Sequence, residues 1–334
     1  MLTRVLITGA TGFIGREVAR SLNERGHALH ALVRGPGAQA RLDRGGIPGR
    51  AFPGALDDED AVHAAVAGTD TVVHLAAVVD PILQRDRLTV FLVNRDLTVE
   101  LARIAEAEGV RRFVFVSSIA AMGFWSGLAT STSQCRPGTP YGSAKREAEL
   151  ALLAMAHRDF EVVIVRPPTV YGPGEAYNFL EWVRSIYRGV FRVVGSGANR
   201  FPLATTRNVA RTLAAAVERV LAPGVYLVAD REAYTMARVH QAIQTALGQR
   251  HGGLRIPVRA ARLAGAANET LRRLSPSVPN VLTRARVRTL TVDQYFDVEP
   301  LLARGVELDA PLEEWVALTV RDYVRRGVLP PLNP

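Results

Sequence analysis

The sequence predicts an α/β protein built on a doubly wound parallel sheet. Three observations predict it: short apolar runs that read as buried strands, helical patterns between them, and a glycine-rich turn joining the first strand to the first helix. Apolar runs without alternation suit strands covered by helices on both faces. Ligands of such a sheet sit at the carboxyl ends of its strands.

In order, Arg4–Thr8 is a short strand, followed by a glycine turn and a helix over Gly12–Arg25. Ala28–Val33, Thr71–Leu75, Phe113–Ser117 and Val162–Val165 are further strands. Helical patterns lie between them at Asp58–Ala67, Val93–Glu108 and Tyr141–Ala156. Beyond about Gly172 the rhythm changes. Helices are expected at Tyr177–Arg188, Arg207–Val220, Val258–Leu274 and Pro311–Arg326, with a strand at Val225–Val228. This divides the chain into residues 1–172, which hold most of the parallel sheet, and 173–334, mainly a smaller lobe interleaved with the first.

The 334 residues are 48% hydrophobic, enough for a sizeable core, yet no apolar run approaches the ~20 residues of a membrane span. The sequence opens Met-Leu-Thr-Arg and enters a strand pattern at once, so no signal peptide is expected. A single cysteine, Cys135, excludes an internal disulfide and fits a reducing compartment, so a cytoplasmic location is expected. A net charge of +9 invites a nucleic-acid partner. The arginines are spread along the chain and mixed with acids, which reads instead as solvated faces and attraction for an anionic cofactor. No nucleic-acid partner is expected; peripheral contact with anionic lipid is open, through the segment Leu254 to Leu274.

Of 41 basic residues, one alone is lysine: Lys145. A position that keeps an ammonium where arginine is otherwise used needs a compact, adjustable amine. Lys145 stands four residues after Tyr141 at the start of a helix, so phenol and amine share a helix face. A phenol with a pKa near ~10 is a poor acid or base at neutral pH, and a neighbouring ammonium is expected to lower it toward the working range. Ser118, at the end of a parallel strand, completes the group.

The turn Thr8-Gly9-Ala10-Thr11-Gly12-Phe13-Ile14-Gly15 follows a strand and opens a helix. Its glycines permit a tight turn and let backbone N–H groups approach a pyrophosphate at the positive end of the helix. The second strand ends in Arg34, with no acid at 33–35 to bond ribose hydroxyls. A cation there faces the place of a 2′-phosphate, which favours NADP(H) over NAD(H), the alternative. A solvated arginine after a strand is the plainer account.

With these residues in hand, the chain resembles the extended short-chain dehydrogenase/reductases, including their epimerase/dehydratase and 3β-hydroxysteroid dehydrogenase-like branches. The likeness rests on Thr8–Gly15, His74-Leu75-Ala76-Ala77, Asn94 with Thr98, Ser117-Ser118, Tyr141–Lys145 and the run from Arg166 to Gly174. It continues more weakly through Asn208-Val209-Ala210 to Tyr295-Phe296-Asp297. The resemblance implies a Rossmann-type sheet in which Gly9, Gly12, Phe13, Ile14 and Gly15 cradle the pyrophosphate. Leu75, Ala76 and Ala77 line the adenosine side, and Pro167 touches the nicotinamide. It further implies that Ser118 hydrogen-bonds the reacting oxygen, Tyr141 is the general acid/base, Lys145 holds the nicotinamide ribose and Asn94 supports the active-site helix. As structural alternatives, Asn94 caps a helix, Ser118 ends a strand and Pro167 turns the chain. It also suggests a homodimer formed through two helices per subunit.

The departures are informative. Gly54-Ala55-Leu56 stands where the family often has Gly-Asp-Leu, so an aspartate contact to adenine is lost, although Leu56 is retained among the cofactor-binding residues. Asp57 or Asp58 is a substitute, or more simply a helix cap. Thr169 and Ala204 replace the asparagine and histidine common in nucleotide-sugar epimerases, whereas Arg200 is a candidate for their pyrophosphate arginine. His63, His157, His240 and His251 lack metal-ligand spacing, so no metal is expected, and Cys135 reads as a bystander thiol. The expected activity is hydride transfer between nicotinamide and a secondary alcohol or ketone, a small-molecule substrate. A nucleotide-sugar epimerase or dehydratase that retains NAD is the first alternative. A non-catalytic NADPH-sensing protein is the second.

Overall fold

The computed structural model describes residues 2–79, 86–249, 255–274 and 283–331. Seven parallel strands form the central sheet: β1 (Arg4–Thr8), β2 (Ala28–Val33), β3 (Arg50–Pro53), β4 (Thr71–His74), β5 (Arg112–Val116), β7 (Glu161–Arg166) and β10 (Gly224–Leu227). Their spatial order is β10-β7-β5-β4-β1-β2-β3, which reverses direction beside β1. That reversal opens a crevice at the carboxyl edge, between the turns after β1 and β4.

Successive strand residues point to opposite faces. Val5, Ile7, Val114, Val116, Val163 and Val165 enter one core cluster, and Leu6, Phe113, Phe115, Val162 and Ile164 another. Helices α1 (Phe13–Glu24) and α8 (Thr206–Val217) supply residues to the first. On the opposite face lie α3 (Glu59–Val66), α5 (Leu97–Ala107) and α6 (Pro140–Met155). Burial on both faces is why these strands read as unbroken apolar runs.

The edge strand β3 and the helix α2 (Ala38–Arg44) before it lie outside the expected elements. The expected helix from Val93 is also resolved differently. A short α4 (Arg87–Phe91) runs into a π-helical turn, Leu92–Asp96, and only then into α5.

The chain after residue 172 contributes both to the main body and to a second core. β10 and α8 complete the central sheet and its cover. The second core gathers Tyr171, α7 (Asn178–Tyr187), α9 (Met236–Ala246) and α13 (Leu312–Arg325) around Phe179, Ile243 and Val316. Two small parallel pairs stitch the halves together: β8 (Thr169–Tyr171) with β9 (Leu203–Thr205), and β6 (Gly127–Ala129) with β11 (Gln294–Phe296). Among the described residues the remaining α-helices are α10 (Val258–Leu274), α11 (Arg284–Thr289) and α12 (Glu299–Leu302). No helix among the described residues is long and apolar enough to cross a membrane.

Candidate active site

The turns that follow β1, β2, β3, β4, β5 and β7 carry most of the sequence-predicted site residues, with Asn94 on the π-turn and Tyr141 and Lys145 on α6, so one edge of the sheet collects them. The glycine turn is shaped by lack of space. Gly9 has φ +74°, and a Cβ there would lie 2.9 Å from the backbone nitrogen of Ala76. A Cβ on Gly15 would lie 2.1 Å from the carbonyl oxygen of Gly9. Helix α1 begins at Phe13 with Gly12 as its N-cap, and no side chain among the described residues caps its first N–H groups. Free N–H donors at a helix start, reached through side-chain-free backbone, suit a pyrophosphate. Leu75 continues the ladder past β4, its N–H donating to the Thr8 carbonyl at 3.2 Å, which sets Leu75 and Ala76 against the turn.

A buried relay fixes this edge. Thr98 Oγ1 donates to the Asn94 carbonyl at 3.2 Å, so it accepts from His74 Nε2 at 3.0 Å. His74 Nδ1 is then left to accept from Thr8 Oγ1 at 2.7 Å, while Thr8 Oγ1 accepts from the Ala76 N–H at 3.2 Å. Burial, with the Lys145 charge added, holds His74 down to about 3, so the imidazole stays neutral and this pattern persists. Asn94 supports the relay rather than the active-site helix by a direct side-chain bond: it grips both backbone groups of Val78, at 3.0 and 2.7 Å. Its π-turn setting is a frequent feature of functional sites.

Arg34 is exposed just past β2, and its carbonyl is held by the guanidinium of Arg41. Leu56 sits between β3 and α3, half-buried against the second core cluster. Asp58 caps α3, accepting the Ala61 N–H at 3.1 Å, which is its structural role.

Ser118, Tyr141, Lys145 and Pro167 meet where β5 and β7 end. Ser117 N–H donates to the Val165 carbonyl at 2.8 Å and Ile119 N–H to the Pro167 carbonyl at 2.9 Å, so Ser118 lies alongside Pro167. Helix α6 is capped by Thr139, whose hydroxyl accepts the Gly142 N–H at 3.0 Å, with Pro140 as its first residue. A Cβ on Gly142 would stand 2.3 Å from the Ala120 carbonyl oxygen. Glycine beside Tyr141 is what lets α6 press against the turn after Ser118. The Ser118 hydroxyl accepts from the Ala120 N–H at 3.1 Å and hydrogen-bonds the Tyr141 phenol.

The expected lowering of the Tyr141 pKa is corrected here. Burial pushes the phenol up to about 12, against the opposing hydrogen bond with Ser118. Lys145, one turn along α6, is directed at the end of β5. Its ammonium donates to the Val116 carbonyl at 3.0 Å and lies 4.5 Å from the centre of the Phe115 ring. Burial draws the amine down to about 7, partly offset by Glu149.

Glu149, one turn beyond Lys145, escaped the sequence reading. Fully buried, it accepts from Arg166 at 2.7 Å twice, from Ser117 Oγ at 2.6 Å and from Arg146 at 3.0 Å. Burial raises its pKa, but the Arg166 guanidinium outweighs this and leaves it lowered. The Glu149 carboxylate, by its ion pair with Arg166 and its hydrogen bond from Ser117, thereby ties α6, the end of β5 and the residue before Pro167 together. The continuing spacing 141, 145, 149 was its only trace in the sequence.

Arg200 is already occupied: it bonds Asp293 through side chain and backbone at 2.5 to 3.1 Å and lies 3.5 Å from the Tyr295 ring centre. Cys135 is half-buried, its thiol 3.6 Å from the Ser133 carbonyl.

A sheet of this order, with a glycine cradle and a Ser–Tyr–Lys group at one edge, defines a dinucleotide-dependent α/β enzyme. The chain belongs to the NAD-dependent epimerase/dehydratase family of extended short-chain dehydrogenase/reductases, whose family model matches residues 5–229. It is 30% identical to a UDP-glucose 4-epimerase of Vibrio cholerae over 277 residues, covering 78% of this chain and 81% of that protein. It is 27% identical to a 3β-hydroxysteroid dehydrogenase/Δ5→4-isomerase of Mycobacterium tuberculosis over 345 residues, covering 95% and 91%. The solved UDP-glucuronic acid 4-epimerase of Bacillus cereus in complex with NAD shares the fold, with TM-score 0.74 at 16% identity, covering 97% of this chain and 99% of that one.

Proposed function

We propose that this protein is an NADP(H)-dependent reductase or dehydrogenase of a ketone/secondary-alcohol pair, with Ser118, Tyr141 and Lys145 as its catalytic residues. The observation that carries this reading is the convergence of the three at the carboxyl edge beside the glycine cradle. Nicotinamide supplies the hydride when bound. Ser118 has its oxygen engaged by the Ala120 N–H, and its proton, shared here with the Tyr141 phenol, is what it has to donate to a bound substrate oxygen. Tyr141, with its pKa near 12, is protonated at neutral pH and suited to deliver a proton to that oxygen during ketone reduction. Lys145 retains N–H donors beyond the one on Val116 for the nicotinamide ribose.

In this reading Gly9, Gly12, Phe13, Ile14 and Gly15 hold the pyrophosphate; Leu56, Leu75, Ala76 and Ala77 line the adenosine; and Pro167 meets the nicotinamide. Asn94 holds the edge that they share, and Arg34 takes the 2′-phosphate. Residues 1–172 form the dinucleotide half and 173–334 mainly the substrate lobe. A ketone is favoured over a nucleotide sugar because Arg200 is neutralised by Asp293, and Ala204 is buried inside β9. Exposed Leu88, Leu150 and Leu153, on α4 and α6, fit a homodimer face.

The test is direct titration of NADP(H) and NAD(H) against wild-type protein and Arg34→Asp, with mass spectrometry of whatever dinucleotide survives purification. A charge-assisted contact is worth about 1.5–3 kcal/mol, so Arg34→Asp is expected to weaken NADP(H) binding about ten- to a hundred-fold while sparing NAD(H). Tighter binding of NAD(H) than NADP(H) by the wild type, or NAD retained through purification, would overturn this in favour of the epimerase reading.

A further inference from the structure

Helix α10 is apolar on the wrong side. Its inward face packs Ala261 with Val287 and Val194, and a Cβ on Gly265 would meet the Arg284 backbone nitrogen at 3.1 Å. The opposite face should be polar in a helix that only covers a core. Instead Ala260, Leu263, Ala264, Ala267 and Leu271 are all exposed, and their spacing places them in one stripe. Leu263 is 73% exposed and Leu271 53%.

One flank of the stripe is cationic. Arg255, Arg259 and Arg262 are exposed, and the only acid from Arg255 to Leu271 is Glu269, which is engaged by Arg284 through side chain at 3.6 Å and backbone at 2.8 Å. Leucines flanked by arginines that have no acidic partner among the described residues match a surface with an apolar interior and an anionic rim. The neighbouring helix α11 connects this face to the catalytic edge: Arg288 lies 3.7 Å from the centre of the Phe124 ring, six residues after Ser118. Phe124 is itself 40% exposed.

We propose that the outer face of α10 docks the enzyme on an anionic lipid surface, with the leucines inserted among the acyl chains and the arginines on the headgroups. This extends the expectation raised by the basic segment and is independent of the reaction. Only its corollary, delivery of an apolar ketone from the bilayer past Phe124, rests on the proposed function.

The experiment is flotation of the full-length protein with vesicles of phosphatidylcholine alone or mixed with phosphatidylglycerol, at low and high salt. Binding is expected to mixed vesicles, weak to neutral ones, and reversed by salt because the arginine attraction is screened. At about 1 kcal/mol per arginine near an anionic surface, Arg259→Gln with Arg262→Gln is expected to weaken binding on the order of 30-fold. Leu263→Asp with Leu271→Asp is expected to abolish it. Dinucleotide affinity, read by titration, should be unchanged in both variants, which separates failed docking from failed folding and leaves the reductase reading to its own test. No flotation of the wild type, equal flotation of the Leu→Asp variant, or indifference to headgroup charge would each overturn the proposal. A smaller oligomer for the Leu→Asp variant would also overturn it, assigning the stripe to a second copy of the chain.

Discussion

The two regions of this molecule are held in place by different means. At the carboxyl edge of the central sheet, backbone geometry sets position, and the His74 relay and the Glu149–Arg166 pair brace it. Gly9, Gly15 and Gly142 each stand where a Cβ would collide with another backbone segment, and Ser118 and Leu75 are placed by the ladders that precede them. In the second region, side chains far apart in sequence do the holding. Glu175 accepts the N–H groups of Tyr177, Phe179 and Leu180 at the start of α7 and the hydroxyl of Tyr323 on α13. Asp230 gathers Tyr171, the Thr205 N–H and Asn208 at 2.7 to 2.9 Å. A site placed by backbone geometry is intolerant of change at small residues. A lobe placed by dispersed polar contacts can lose one of them and remain folded.

The largest expected effect lies in the first region. Tyr141→Phe removes one oxygen from a site whose backbone frame is untouched. Turnover is expected to fall by at least ~10²-fold, the scale of losing a general acid, while NADP(H) affinity stays within a few-fold. Steady-state rates and cofactor titration on the same preparation measure both. Near-normal turnover would remove the phenol from the chemistry, leaving the edge as a binding frame only.

The same contrast governs what was legible beforehand. The strands β1, β4, β5 and β7 are buried on both faces, so composition alone marks them, and the glycine turn and the Tyr141–Lys145 spacing mark the edge. Four-residue β3 is only half-buried and ends in Pro53, so neither apolar run nor alternation announces it. The pairing of β6 with β11 joins three-residue segments from Gly127 and Gln294, which no local pattern links. The π-turn at Leu92–Asp96 looks helical in periodicity and differs only in its hydrogen bonds. At the site itself, residue types were legible but electrostatics was not. The raised phenol reflects how deeply the fold buries it, and the amine's orientation toward Val116 depends on which way a four-carbon stem folds.

The second region should respond more mildly. Tyr323→Phe deletes the hydroxyl bonded to Glu175, a carboxylate whose pKa burial has already raised. Losing one hydrogen bond from a buried charged group costs about 1–3 kcal/mol, to be read as a lower denaturant midpoint. Dinucleotide affinity should change less than about threefold, since the remaining N–H bonds to Glu175 persist. The measurement can break the comparison. Gly174, held at 2.8 Å by Asp322 beside Tyr323, lies against Phe13 of the glycine turn. A tenfold loss of dinucleotide affinity would mean that the C-terminal helix α13 helps to shape the cradle.

The smallest effect is a pH dependence written into the first region alone. Burial draws Lys145 down to about 7 in the cofactor-free protein, and the proposed contact to the nicotinamide ribose requires the ammonium. Raising the pH from 7 to 8 takes the charged fraction from about one half to about one tenth, so NADP(H) affinity should fall about fivefold. Stability moves the other way. Between pH 7 and 10.5 the unfolded chain holds this proton more firmly than the folded one, so the contribution of Lys145 to unfolding free energy rises with pH. Lys145→Met removes the titrating group, and its affinity, lower throughout, should be flat over the same range. Titrations of both proteins at pH 7 and 8 decide the matter: parallel slopes would place the titrating group elsewhere and leave the amine charged throughout.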